Sequence, residues 1–464
     1  MRLPRIMLAA PASGSGKTLV TCGILQALVN RGLRVASFKC GPDYIDPMFH
    51  SRVIGARSGN LDTFFTDGET TRYLFGRAAS EADISVIEGV MGYFDGLGGI
   101  SEQASSSDVA RTLDAPVVLV VNCRGMSLSA LALIQGFVEY QKPGQIRGVI
   151  LNQLPASLYP DLKARIEEEL PVRVLGYVPK AEDLVLESRH LGLVLPGEIE
   201  RLREKLQKLA ALLEETLDLE SLISMAREAP QLLYREPELP RVQEQLPGHE
   251  EILKRGKIRI GVAQDEAFCF TYRDNLQLLQ DLGAELVPFS PLADAGLPEN
   301  LQGLILSGGY PELHAARLAE NASMREAVRE AVQGGLPCIA ECGGFLYLHR
   351  TLEGEDGKDY PMAGVISARA YRTPRLSRFG YITLTAKEDQ LLLAKGEEIR
   401  GHEFHYWESE SCGEAMRAQK PLRKRGWDCV HGTASLYAGF PHLFFYSNPD
   451  AALRFLEKCE ERLC

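Results

Sequence analysis

The chain has 464 residues, of which 45% are hydrophobic and 24% charged, with a formal net charge of −11. A chain of this length needs two or three domains, each with its own core. The acidic balance argues against a nucleic-acid binder, and without a run of about 18 uncharged apolar residues no membrane span is expected.

In chain order, residues 5–10 form a short apolar strand that runs straight into a glycine loop. A signal peptide would need a longer apolar stretch and a cleavage site, so a cytoplasmic protein without a membrane partner is expected. The periodicity predicts a helix over 17–30, then short β-branched runs at 35–38, 84–88, 117–121 and 148–151 with helical stretches between them. Strands alternating with helices predict a parallel sheet covered on both faces. The pattern fades around 179–195, and 198–227 is leucine-rich with apolar residues at three- and four-residue intervals, as in one or two amphipathic helices. Pro230, Pro237, Pro240 and Pro247 punctuate a polar stretch that reads as a linker. A second α/β pattern starts at Lys257, with strands at 258–263, 303–306 and 337–340, and Asn448-Pro449-Asp450 has the form of a helix cap with proline in the first turn.

Two motifs carry chemistry. Residues 11–18, PASGSGKT, follow a strand and open a helix, which is the setting of a phosphate-binding loop. Backbone N–H groups and a helix N-terminus there cradle phosphate oxygens, Lys17 neutralises their charge and the Thr18 hydroxyl is suited to Mg²⁺. Pro11 stands where the usual pattern has its first glycine. Asp43, in the GPDYIDP stretch after the second strand, and Glu88, at the end of another strand, lie where ligands gather in open α/β sheets. They are placed to hold Mg²⁺ or to assist an attacked carboxyl group, although each could equally serve as a turn or cap residue; Asp95 follows in the next loop.

The second motif is 339–345, IAECGGF, where an apolar strand meets a glycine turn. Cys342 is expected to be an exposed nucleophile on that turn, its thiol pKa lowered by a helix N-terminus, with Gly343 donating an oxyanion N–H. Gly309, in the LSGGYP turn, can supply a second N–H. A thiol nucleophile needs a base, and spacing does not choose among nine histidines; His442 lies beside a strand-like run, and His402 and His405 share a separate stretch, 401–406. The two-residue gap between His402 and His405 also admits a metal reading, without a convincing third ligand. The ten cysteines show no C-x-x-C pair, so most are expected to be reduced and buried. Arg369, Arg372, Arg375 and Arg378 recur at every third position. They read as a solvated basic face or, alternatively, as contacts for an anionic substrate.

In combination these segments resemble one family. Residues 10–18 (APASGSGKT), 38–47 (FKCGPDYIDP) and 86–96 (VIEGVMGYFDG) are similar to the ATP half of cobyrinic acid a,c-diamide synthases. Residues 263–270 (AQDEAFCF), 307–312 (SGGYPE) and 341–344 (ECGG) are similar to that family's class I glutamine amidotransferase domain. The resemblance implies an α/β protein: a P-loop NTPase domain with a dethiobiotin synthetase-like parallel sheet over 1–195, a helical segment and linker over 196–256, and a class I glutamine amidotransferase domain over 257–464. It implies a ligase that uses ATP, L-glutamine and Mg²⁺ to amidate carboxylates of a corrinoid or related tetrapyrrole. Ser13, Gly14, Ser15, Gly16, Lys17 and Thr18 would bind the nucleotide, with Thr18, Asp43 and Glu88 at the metal. Asp43, Tyr44, Asp46 and Asp95 would meet the substrate, and Asn152 and Gln153 the adenine base. Cys342 would attack glutamine, with His442 as base and Gly309 and Gly343 at the oxyanion. The family's His-Leu-His pattern is His442-Leu443-Phe444 here, and no glutamate follows two residues after the histidine, which resembles a dyad more than a full triad.

Cobyric acid synthase shares both domains but typically has a Gln-Asn-Met type motif after the second strand, where this chain has Gly41-Pro42-Asp43-Tyr44. Hydrogenobyrinate and nickel-sirohydrochlorin are alternative substrates that no residue distinguishes, and the oligomeric state is left open. A nucleotide-switched ATPase is the non-enzyme alternative. Such a switch needs no Cys342 loop.

Overall fold

The computed structural model describes residues 2–180, 196–237 and 257–463, and the chain divides into two units after Pro237. Pro240, Pro247 and most of the stretch where the strand–helix pattern fades lie outside the described residues.

The first unit is built on seven strands: β1 (Arg5–Ala9), β2 (Val35–Cys40), β3 (Arg57–Leu61), β4 (Ile84–Glu88), β5 (Val117–Asn122), β6 (Ile146–Asn152) and β7 (Arg173–Val178). They pair in the order β3-β2-β4-β1-β5-β6-β7, and every pairing is parallel. The helices are α1 (Lys17–Asn30), α2 (Ile45–Phe49), α3 (Gly68–Ala79), α4 (Ser106–Thr112), α5 (Ser129–Tyr140), α6 (Tyr159–Glu169), α7 (Pro196–Thr216) and α8 (Leu219–Arg227). Because strand side chains alternate, β1 sends Ile6 and Leu8 into one core with α1, α7 and α8. Met7 and Ala9 enter the opposite core with α3, α4, α5 and α6. A sheet buried on both faces explains why β5 reads as an unbroken apolar run.

The leucine-rich segment belongs to this unit. Leu209 and Leu213 of α7 are buried, and both lie directly over Gly23 of α1. The chain after α8 also packs: Leu232 enters the core, and the Tyr234 ring covers Gly76. Beneath the sheet the wholly buried Arg5 guanidinium donates to the carbonyls of Leu113 (2.6 Å), Leu3 (2.9 Å), Pro230 (2.9 Å) and Asp114 (3.3 Å). Burial pushes its pKa down to about 10.

The second unit has a six-stranded sheet in the order β20-β21-β11-β10-β8-β9. Its strands are β8 (Ile258–Ala263), β9 (Ala284–Phe289), β10 (Gly303–Leu306), β11 (Cys338–Glu341), β20 (His431–Gly432) and β21 (Leu436–Gly439), all parallel except β20. The chain between β11 and β20 forms most of two further sheets, the second completed by β22. One holds β12 (His349–Glu353), β13 (Asp359–Pro361), β14 (Ile366–Arg372) and β17 (Trp407–Ser409). The other orders β19 (Gly426–Cys429), β18 (Met416–Gln419), β15 (Arg378–Ala386), β16 (Glu398–His405) and β22 (His442–Leu443). The closing helix, Pro449–Glu460, starts with proline in its first turn as expected; Asn448 occupies the cap position but donates its amide to the Glu398 carbonyl instead of capping. Among the described residues no helix is long and apolar enough to cross a membrane.

Candidate functional site

In the first unit the carboxyl ends of β1, β2, β4 and β6 bring together the residues that matter. The loop after β1 turns through Gly14 and Gly16, both with positive φ, into α1. Asn152, ending β6, donates its side-chain amide to the Ser15 carbonyl at 2.8 Å and so fastens the loop. A Cβ on Gly16 would lie 2.2 Å from that amide nitrogen, so only glycine fits. Ser13 and Gly14 are exposed at the loop tip, whereas Ser15 and Lys17 are buried. Lys17 Nζ donates to the Met91 carbonyl at 2.9 Å, and its pKa is pushed down to about 8 by burial, with the Lys39 charge adding.

A charged cluster lies beside this loop. Glu88, fully buried at the end of β4, accepts from the Thr18 hydroxyl at 2.6 Å and from Lys39 Nζ at 2.7 Å. Lys39 also meets Asp46 of α2 at 2.5 Å. Burial opposes the charge on every member. The two carboxylates nevertheless hold Lys39 protonated, and Lys39 holds Glu88 ionised, while burial and Glu88 push Asp46 up to about 7. Behind them His50 is fully buried, with Nδ1 2.6 Å from the Ser37 hydroxyl and Nε2 3.7 Å from Glu88 Oε2; burial pushes it down to about 4.

Asp43 takes a different position. Its Oδ1 accepts the N–H groups of Ile45 and Asp46 as a cap on α2, and the carboxylate that reaches the Lys39–Glu88 pair is Asp46. Tyr44 is buried at the start of the same helix. Asp95 is exposed and accepts the Gly92 N–H at 3.0 Å. Lys39 and His50 were not singled out in the sequence. A lysine ending a buried strand was the available signal for the first, and His50 carried none.

These residues fit a magnesium-bound nucleotide. Glu88 Oε2 is buried and makes no hydrogen bond, beside a hydroxyl and a loop shaped for phosphate. Among the described residues no group of three His, Cys, Asp or Glu is placed to hold a metal. Mg²⁺ would therefore take most of its ligands from phosphate and water, as is usual for this ion. Among the described residues His402 and His405 likewise belong to no such group.

In the second unit β11 ends at Glu341, and Cys342 follows with φ 46° and ψ −98°, a sharp elbow that no ordinary turn adopts. A Cβ on Gly343 would lie 2.9 Å from the Gly309 nitrogen, so the two expected oxyanion amides come together. The His442 ring lies against Gly308, where an added Cβ would stand 2.3 Å from its Cε1. It also stacks on His402, with centroids 4.9 Å apart and planes 15° from parallel. Glu341 Oε2 is 3.8 Å from His442 Nδ1.

The environment of the thiol corrects one expectation. Cys342 is 6% exposed, and its pKa is pushed well up by burial first and then by the charges of Glu312, Glu341 and Glu403. Desolvation outweighs the lowering by the Gly343 backbone N–H at the start of a helix five residues long. Glu312, in the SGGYPE turn, is itself pushed up to about 8, chiefly by burial. Glu403 is fully buried and accepts from Trp427 Nε1 at 3.4 Å. The four spaced arginines diverge. Arg369 pairs with Glu353 and Asp359, Arg378 lies 4.7 Å over the Trp427 ring, and Arg372 and Arg375 are exposed.

Comparisons with known proteins agree with this division. Residues 6–194 match the family described as the CobQ/CobB/MinD/ParA nucleotide binding domain, and residues 259–449 match the CobB/CobQ-like glutamine amidotransferase domain. The cobyrinate a,c-diamide synthase of Caldanaerobacter subterraneus subsp. tengcongensis is 40% identical over 456 residues, covering 98% of each chain. The protein of the same name from Listeria innocua is 40% identical over 96% of this chain and 97% of its own. That from Thermoplasma volcanium is 37% identical over 99% and 98%.

Proposed function

The chain belongs to the cobyrinate a,c-diamide synthase family, and we propose that it converts the a- and c-carboxylates of cobyrinate to amides, using ATP and glutamine. The observation that carries this reading is the presence of both half-sites in one chain. A phosphate loop stands beside the Thr18–Glu88–Lys39 cluster, and Cys342 sits on its elbow with His442 in the same loop cluster.

Each half has a defined task. In the first unit, a substrate carboxylate oxygen attacks the terminal phosphorus of ATP, giving an acyl phosphate and ADP. Ammonia then attacks the acyl carbon and phosphate leaves. Ser13, Gly14, Ser15, Gly16 and Lys17 hold the phosphates, and Thr18 with Glu88 would hold Mg²⁺, which supplies charge neutralisation there when bound. Catalysis of such a transfer is mostly positioning and electrostatics, and Lys39 adds a buried positive charge beside the same carboxylate. Asp43, Tyr44, Asp46 and Asp95 are the side chains assigned to the tetrapyrrole. In the second unit Cys342 attacks the glutamine side-chain amide, His442 moves the protons, and Gly309 and Gly343 hold the oxyanion.

Mass spectrometry of cobyrinate incubated with ATP, Mg²⁺, glutamine and the protein tests the whole reading. The expected result is two successive, ATP-dependent replacements of a carboxyl hydroxyl by an amino group. Cys342→Ser should end glutamine use and keep amidation from free ammonia. Failure of the unaltered protein to amidate any tetrapyrrole with ammonia would overturn the ligase assignment. Turnover of hydrogenobyrinate or nickel-sirohydrochlorin alone would keep the chemistry and replace the substrate.

A further inference from the structure

His442 has no carboxylate two residues further on: that position is Phe444, buried, with its ring 5.1 Å from that of Tyr272. A histidine acting as base toward a thiol held protonated by its surroundings has to keep one tautomer and one orientation. The fold places a carboxylate for this task on a different strand. Glu341 precedes the nucleophile at the end of β11, in register with Gly439 of β21, and from Gly439 the chain turns through Phe440 and Pro441 into His442. Its Oε1 accepts the backbone N–H of Leu443 at 3.0 Å, and its Oε2 faces His442 Nδ1 at 3.8 Å. The two side chains are 13% and 3% exposed.

Two further neighbours fix the plane of the imidazole. His402 stacks on it and is itself 3.1 Å from the Tyr272 hydroxyl through Nδ1, and burial keeps His402 neutral. Gly308 lies against the ring edge.

We infer that Glu341 is the positioning carboxylate of the glutaminase site, standing beside His442 in place of the missing downstream glutamate. The inference rests on the assignment of Cys342 and His442 made above. Glu341 accepts from His442 Nδ1–H, which leaves Nε2 to take the thiol proton; a separation of 3.8 Å in the free site tightens when glutamine is bound. The Cys342 sulfur then forms its bond to the amide carbon. On collapse the carbon–nitrogen bond breaks, and the imidazolium returns the proton to the leaving nitrogen. The products are ammonia and a glutamyl thioester, which water hydrolyses. The proton passes between the thiol, the imidazole and the leaving nitrogen, and Glu341 serves only to orient the ring.

The test uses the full chain with ATP and cobyrinate present, following glutamate release. Glu341→Gln keeps the oxygen that accepts from Leu443 and removes the charge facing His442. It should keep the melting temperature and the glutamine KM, and lose about 10²–10⁴-fold in glutaminase kcat. Glu341→Asp, which keeps the charge on a shorter stem, should recover part of that loss. A Glu341→Gln enzyme within about threefold of the unaltered kcat, beside an inactive His442→Ala, would overturn the role of Glu341 alone. A lowered melting temperature with kcat and KM changing together would also overturn it, as a structural role. An active His442→Ala would overturn the base assignment beneath it.

Discussion

Gly308 sets how close the His442 ring comes to the turn that carries an oxyanion amide. With a Cβ 2.3 Å from Cε1, Gly308→Ala must push the ring away. A displacement of about 1 Å at a reacting centre costs about 10²-fold, so glutaminase kcat should fall by that factor while circular dichroism stays unchanged. A second prediction concerns Lys17, which titrates near 8 in the free site because burial and Lys39 disfavour its charge. Bound phosphate requires the ammonium, so raising the pH through about 8 obliges binding to take up a proton. The ATP Kd should be flat below that pH and rise by up to about tenfold per unit above it, measured by nucleotide titration. Lys17 and Cys342 stood out in the sequence because residue types that carry chemistry sit there in a glycine-rich setting. Lys39, His50 and Glu341 were not singled out, because their meaning depends on which strand ends become neighbours. For the same reason the thiol was read as exposed: a glycine turn in a sequence does not show the three carboxylates that the fold gathers around it.

The elements of the parallel sheets were written in apolar runs, and α1, β4, β8 and β10 fall on the spans their periodicity indicates. β3 (RSGNL) escaped, since Gly59 and Asn60 break any hydrophobic pattern, and Asn60 is there to donate to the carbonyls of Gly41 and Asp43. The strands from β12 to β19 escaped as well. β14 buries alternate positions, and β14 and β15 pair with β17 and β18 across intervening strands. The amphipathic stretch after residue 198 was legible as helix, but its destination was not. α7 covers α1 so closely that Leu213 rests on a glycine, which makes it part of the sheet's second layer. Leu213→Ala should therefore lower the unfolding free energy by ~2–5 kcal/mol, read from urea denaturation, with the slope against denaturant unchanged.

At the level of the whole chain two chemistries are divided between two units, each with its own core. If ammonia is the only material passed from one reaction to the other, each amide should consume one ATP and release one glutamate. Quantifying ADP and glutamate against mono- and diamide checks this; excess glutamate would mean that hydrolysis runs without amidation. The net charge of −11 gives no general attraction for a polycarboxylate, so recognition of the substrate must be local. Arg5 gives the first unit a history as well as a structure. Its strand leaves the ribosome well before one of its carbonyl partners, Pro230, which lies 225 residues further on. Until that segment emerges, the guanidinium lacks a partner it needs beneath a closing sheet, and Leu232 is missing from the core. The sheet can gather during synthesis, but it locks only when the last segment of its own unit arrives, so its completion is timed to the end of that unit's translation.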